Sequence, residues 1–256
     1  MSATARAFGI ARSLAMYYGI PFRARRLRRF YAQFVQPGSL CFDVGAHAGN
    51  RVRCWRQLGA RVIAIEPPAD FVRLLHWLYG RDDGVEIVPL AVGASPGYAE
   101  LLVSERTPTV TTLSREWVQG VQRDPRFAGV SWQRGARVEV VTLQSLIERY
   151  GEPAFVKVDI EGYEAAALAG LTTPVRALSF EYVPATREVA LDCIDRMTAL
   201  GSYRYNWSLG ESHRLASERW FDAGGIRAHL RGLPQLALSG DVYAVREDVG
   251  DPSRHL

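Results

Sequence analysis

Asp43-Val44-Gly45-Ala46-His47-Ala48-Gly49-Asn50 follows a short apolar run over residues 40–44 and leads into a helical pattern over 50–58. A strand that turns through glycines directly into a helix is the opening unit of a doubly wound α/β sheet. Glycine suits such a turn because it adopts positive φ and lets another group approach the backbone. Outward from this stretch, strand-like runs at 61–65 and 85–92 flank a helix at 70–79 with Phe71, Leu74, Leu75 and Leu78 on one face. The alternation predicts parallel strands joined by right-handed crossovers.

The middle of the chain is less regular. Strands are expected at 98–104 and 138–141, a Thr/Ser-rich loop at 106–114, and a short helix near 117–122. The alternation resumes with helices at 143–150, 164–168 and 188–200, strands at 155–160 and 177–183, and final strands at 203–207 and 242–246. The pattern describes one domain over 38–250, preceded by a basic helical extension over 1–37 and followed by a tail over 251–256.

Composition supports a globular chain. Of 256 residues, 48% are hydrophobic and 23% charged, which excludes disordered and collagen-like classes. No apolar run approaches the roughly 18 residues of a spanning helix. Cys41, Cys54 and Cys193 are too few and too scattered for a disulfide scaffold or a zinc site and suit a reducing, cytoplasmic compartment.

The net charge of +4 is unevenly placed. No acid precedes Asp43, while Arg6, Arg12, Arg23, Arg25, Arg26, Arg28 and Arg29 do. The remainder holds 24 basic and 27 acidic residues, a net of −3. The arm has the composition of a transit peptide, and Arg12 interrupts any secretory apolar core. Leu27, Phe30, Tyr31 and Phe34 recur at helical spacing, so residues 23–35 either pack on the domain or rest on an anionic membrane surface. The acidic body disfavours a nucleic-acid partner, which would need basic patches.

The glycine turn constrains the ligand. A dinucleotide fingerprint is G-x-G-x-x-G, whereas this turn is G-x-x-x-G with His47 in place of the second glycine. A pyrophosphate, and with it a nicotinamide oxidoreductase, is therefore disfavoured. Asp43 before the turn suits a ligand with a cationic end, and Glu66, 21 residues after Gly45, can accept from both ribose hydroxyls. S-adenosylmethionine has both features.

Lys157-Val158-Asp159-Ile160-Glu161-Gly162-Tyr163-Glu164 ends a later strand. Lys157 is the only lysine among 31 basic residues and sits in an apolar run, where it needs carboxylate partners. Neighbouring strands should bring Asp43 and Glu181 to it, so that Asp43, Lys157, Asp159, Glu161 and Glu181 converge at the carboxyl edge of the sheet. Alternatively, Lys157 and Glu181 form a purely structural pair, with Glu161 and Glu164 as first-turn helix acids. The five histidines show no metal spacing, so no metal ligands are expected.

These motifs resemble the FkbM family of S-adenosylmethionine-dependent methyltransferases. The resemblance runs from about Leu40 to Val183 and rests on Asp43–Gly49, Glu66-Pro67, Leu90-Ala91-Val92-Gly93 and Lys157–Gly162, in that order. His47 stands where the family often has Asn. The resemblance implies a class I methyltransferase fold, a Rossmann-like three-layer sandwich with a seven-stranded, mostly parallel sheet whose last strand is antiparallel. It implies O-methylation of a hydroxyl on a sugar, glycolipid, polysaccharide or natural product. By position, Asp43, Gly45, Ala46, His47, Gly49 and Asn50 would hold the amino acid part of the cofactor, Glu66 and Pro67 the ribose side, and Ala91 and Val92 the adenine. Asp159 or Glu161 would serve as base, with Lys157 and Glu181 fixing its position and charge. Mg²⁺ held by Asp159, Glu161 and Glu181 is the less favoured variant. An RNA methyltransferase and a non-catalytic cofactor-binding protein are the competing readings.

Overall fold

The structure is a computed structural model that describes residues 23–104 and 107–249. The expectations for residues 1–22 and for the tail at 251–256 lie outside the described residues. A seven-stranded sheet has the order β3-β2-β1-β7-β8-β10-β9. Its strands are β1 (Leu40–Val44), β2 (Arg61–Ile65), β3 (Val85–Val88), β7 (Phe155–Val158), β8 (Ala177–Tyr182), β9 (Tyr203–Trp207) and β10 (Gly240–Arg246). The pairs from β3 through β8 are parallel, and β10 runs antiparallel to both β8 and β9. The order reverses between β1 and β7, the switch point at which open α/β sheets form a ligand crevice.

Helices cover both faces. One carries α5 (Leu143–Tyr150), α6 (Glu164–Ala169), α7 (Glu188–Leu200) and α8 (Ala223–Gly232), packed on Phe42, Val44, Ile63, Val158 and Phe180. The other carries α1 (Arg23–Tyr31), α2 (Asn50–Gln57) and α3 (Ala69–Tyr79), packed on Cys41, Val62, Phe155 and Tyr243. The short helix α4 (Arg115–Val121), capped by the Ser114 hydroxyl, lies beyond the sheet edge.

The apolar face of α1 is spent on this second layer. Leu27, Phe30, Tyr31 and Phe34 are buried there. Phe30 meets Tyr243 edge-on at 5.1 Å, Tyr31 meets Trp55 at 5.3 Å, and Phe34 lies 5.0 Å from Phe155. Aromatic pairs of this geometry add to the apolar area they bury. Arg25, Arg26, Arg28 and Arg29 remain exposed on the outer face.

Three features depart from the sequence expectations. The run at 85–92 is broken, because Pro89 lacks the N–H needed to continue a ladder. After it, β4 (Ala91–Val92) joins a separate three-stranded sheet of order β4-β6-β5, with β5 (Gly97–Val103) and β6 (Gln133–Val141). Strand β6 starts well before the expected 138, in a polar stretch whose partner is β5 rather than the core. Helix α8, closed at its start by the Asp222 carboxylate on the Gly225 N–H, was not expected at all.

Candidate active site

At the switch point a cavity with about 760 Å³ of empty space opens at the carboxyl edge of the sheet. The first glycine turn forms its floor. Gly45 has φ +84°, and a Cβ there would lie 1.9 Å from the carbonyl oxygen of Asp159. Only glycine lets the ends of β1 and β7 approach this closely. Gly49, at φ +74°, packs under the Tyr79 ring, whose hydroxyl donates to the Gly49 carbonyl.

The Glu66 carboxylate stabilises this turn, accepting from the His47 N–H at 2.7 Å. Burial pushes its pKa up to about 8, against the lowering effect of that hydrogen bond. The His47 ring lies 3.8 Å from Phe71, and burial takes its pKa down to about 3, so the imidazole is neutral.

Of the residues expected on the cofactor side, Gly45, His47 and Asn50 line the cavity, as do Glu66, Pro67, Ala91 and Val92. Ala46 and Gly49 shape the turn without lining it. Asp43 is also absent from the wall, although it was expected to face a cationic ligand. It is fully buried and neither carboxylate oxygen has a hydrogen-bond partner among the described residues. Desolvation raises its pKa to about 7, Arg51 and Lys157 opposing it.

Lys157 is fully buried, so its ammonium must be paired. Of its partners, Asp159 was among the residues expected to converge on it, and Asp241 was not. The Nζ contacts Asp241 Oδ1 at 2.5 Å and Asp159 Oδ2 at 3.5 Å, not Asp43 or Glu181. The register gives the reason. Lys157 is opposite Ser179 on β8, and Asp241 on β10 is opposite Glu181. All four share one sheet face, and the small Ser179 leaves the path to β10 open. Burial disfavours the charge on Lys157, but Asp159 and Asp241 outweigh it and raise the pKa.

Asp159 lines the cavity and is clamped from two sides. Arg51 on α2, itself buried, reaches it at 3.0 Å opposite Lys157. Burial pushes this carboxyl up, yet Lys157 and Arg51 together hold it below its ordinary value. Arg51 was missed in the sequence. A signal existed, because a cation in the first turn of a helix opposes the helix dipole and therefore needs an acid partner.

Glu161 also lines the cavity and has the opposite environment. Its backbone is left-handed, with φ 55°, and its carbonyl accepts from Thr112 Oγ1 at 2.6 Å. Burial first, then Asp159 and Glu164, raise its pKa well above the usual range. Glu164 is a scaffold group whose Oε1 accepts from the Ile160 and Gly162 N–H groups. Glu181 stands behind the wall, and burial and Glu161 raise its pKa. Asp159, Glu161 and Glu181 each bring an oxygen within 4.8 Å of the others.

The Thr-rich loop contributes a roof that the sequence did not suggest: Pro108, Thr109, Thr111, Thr112 and Leu113 complete the cavity.

The strand order, the antiparallel β10 and a cavity over the first glycine turn define a class I methyltransferase fold. Residues 43–233 match the methyltransferase FkbM domain, so the chain belongs to the FkbM family and is an S-adenosylmethionine-dependent methyltransferase. Similar solved structures include precorrin-6y C5,15-methyltransferase from Geobacter metallireducens (TM-score 0.46, 10% identity, covering 88% of this chain and 86% of that one). The O-methyltransferase TomG of tomaymycin synthesis from Streptomyces achromogenes, in complex with S-adenosylmethionine, has TM-score 0.45 and 8% identity over 96% of this chain and 90% of its own. An O-methyltransferase from Bacillus cereus, in complex with S-adenosylhomocysteine, has TM-score 0.43 and 13% identity over 96% and 91%. No curated protein matches the sequence.

Proposed function

We propose that this enzyme methylates a hydroxyl of a sugar, glycolipid, polysaccharide or natural product, with Glu161 as the base. The observation that carries the reading is the contrast between two carboxyls on one cavity wall: Asp159 is ion-paired with Arg51 and Lys157, whereas around Glu161 the acids Asp159 and Glu164 outweigh the more distant Lys157. A carboxylate held by two cations is a weak base. A carboxylate outside such a clamp is the stronger base once ionised.

The cavity fits the cofactor: the close-approach turn at Gly45, Glu66 and the apolar Ala91 and Val92 suit an adenosine with a cationic end. When bound, S-adenosylmethionine supplies an electrophilic methyl group on a sulfonium. Around it, Gly45, His47 and Asn50 shape the floor, and Pro108 and Thr112 exclude water. Holding acceptor and methyl in line accounts for much of the acceleration in such displacements. Positive charge in the cavity favours the ionised forms of Glu161 and Glu181. The free and buried Cys41, Cys54 and Cys193 support a reducing, cytoplasmic setting.

The test incubates labelled S-adenosylmethionine with glycan and glycolipid libraries, then compares variants on the acceptor found. Glu161→Gln is expected to lose about 10²–10⁴ in kcat with S-adenosylhomocysteine affinity unchanged. Asp159→Asn is expected to weaken both. Near wild-type turnover in the two variants would remove the assignment.

The convergence of Asp159, Glu161 and Glu181 supports one alternative, a Mg²⁺ ion that acidifies the acceptor. Asp159 is already neutralised by Arg51 and Lys157, which makes it the poorer reading. Loss of activity with a chelator and recovery with Mg²⁺ would favour it.

A further inference from the structure

We propose that the rim beside the active site docks on an anionic lipid surface. Among the described residues, Leu209 (46%), Leu236 (67%) and Leu238 (65%) are three of the most exposed large apolar side chains. The β9–β10 ladder continues past its strand ends, with the Ser208 N–H on the Asp241 carbonyl and the Gly210 N–H on that of Ser239. This runs the backbone of residues 208–210 alongside that of 239–241, and the turn closed by the Ala237 N–H on the Pro234 carbonyl leads Leu236 and Leu238 into the same rim. Gly240 pairs with Tyr182 at the end of β8, so the leucines lie on the same sheet edge as the cavity.

Two ion-paired arginines link the patch to its surroundings. Arg126, held by Asp124, donates to the Ala237 carbonyl, and Arg23 pairs with Glu211, tying the start of α1 to the loop that carries Leu209. From there α1 presents Arg25, Arg26, Arg28 and Arg29, exposed and without an acid partner among the described residues. Exposed apolar side chains beside unpaired arginines are the two components of peripheral membrane binding: insertion at the headgroup boundary and attraction to anionic lipid. A phosphate polymer would use the arginines but gain nothing from the leucines. The apolar face of α1 is committed to the domain, so the leucines rather than this helix supply insertion. Such docking would present a membrane-borne hydroxyl to the cavity. That clause rests on the O-methylation reading, but vesicle binding is measured without turnover, so the two fail separately.

The test is co-sedimentation of the full chain with vesicles of phosphatidylcholine alone and of phosphatidylcholine with phosphatidylglycerol. Binding to the anionic vesicles, reduced by salt, is expected. Leu236→Glu with Leu238→Glu should weaken it at least about tenfold, and Arg25→Ala with Arg29→Ala about thirtyfold. Unchanged thermal stabilisation by S-adenosylhomocysteine certifies the fold of each variant. Should the leucine pair fold poorly, Leu209→Glu tests the same surface. Absence of binding to anionic vesicles overturns the proposal. So does sedimentation that the leucine variants leave intact, particularly if a labelled RNA oligomer binds the protein equally well.

Discussion

Asp43 and Lys157 are opposite each other on adjacent strands, yet they do not form a hydrogen bond. Lys157 reaches away to Asp241, and Asp43 is left buried with its pKa raised to about 7. The sign of the consequence follows from linkage. A carboxyl raised in the folded state holds its proton longer than in the unfolded chain. Its contribution is complete below the ordinary carboxylate range and is lost as pH rises through about 7. Asp43→Asn, which cannot ionise, should therefore gain melting temperature relative to wild type as pH rises from about 4 to about 7, with a constant difference above that. Thermal denaturation across that range checks it, and a pH-independent difference would place the ionisation elsewhere. The lone lysine also acquires a reason. A slender ammonium with three donors serves two carboxylates in a sealed space, a task unsuited to a broad, planar guanidinium.

At the scale of elements, two turns create the site. The turn after β1 depends on Gly45, where an added Cβ would meet backbone rather than a movable side chain. Gly45→Ala also forces an L-residue to φ +84°. Strain and clash act together, so we expect a lowered melting temperature and loss of S-adenosylhomocysteine stabilisation by thermal shift. The turn after β7 carries Glu161 at φ 55° and Gly162 at φ 84°. A Cβ on Gly162 would lie 2.0 Å from the Trp117 ring, so this turn packs directly against α4. The element that supplies the base is thereby held by the segment between β5 and β6. Both turns were legible as motifs. The Thr112 contact and the roof over the cavity were not, because residues 106–114 have neither helical nor strand period.

At the scale of the molecule, α1 is packed as part of the domain. Phe30 touches Tyr31, Phe34 and Tyr243, and Tyr243 belongs to the central sheet. Phe30→Ala should cost about 3–5 kcal/mol, measured by urea unfolding, and shift the single transition of the whole domain. An unchanged midpoint would make α1 an independent appendage. Among the described residues, no helix is long and apolar enough to cross a membrane. The charge asymmetry in the sequence becomes a spatial one, with exposed arginines on α1 and acids around the cavity.

The class of fold, the parallel strands and the two motif-bearing turns follow from the sequence alone. Apolar period and glycine placement act over a few residues and are written directly in the chain. The charge clamp on Asp159 and the partner of Lys157 were decided by tertiary structure. Arg51 acts through the approach of α2 to the end of β7, and Asp241 is 84 residues beyond Lys157 on an antiparallel strand. Such pairs depend on the register of strands two places apart and on a small residue, Ser179, between them. No local pattern encodes that register, because it is fixed only when the whole sheet buries its two faces.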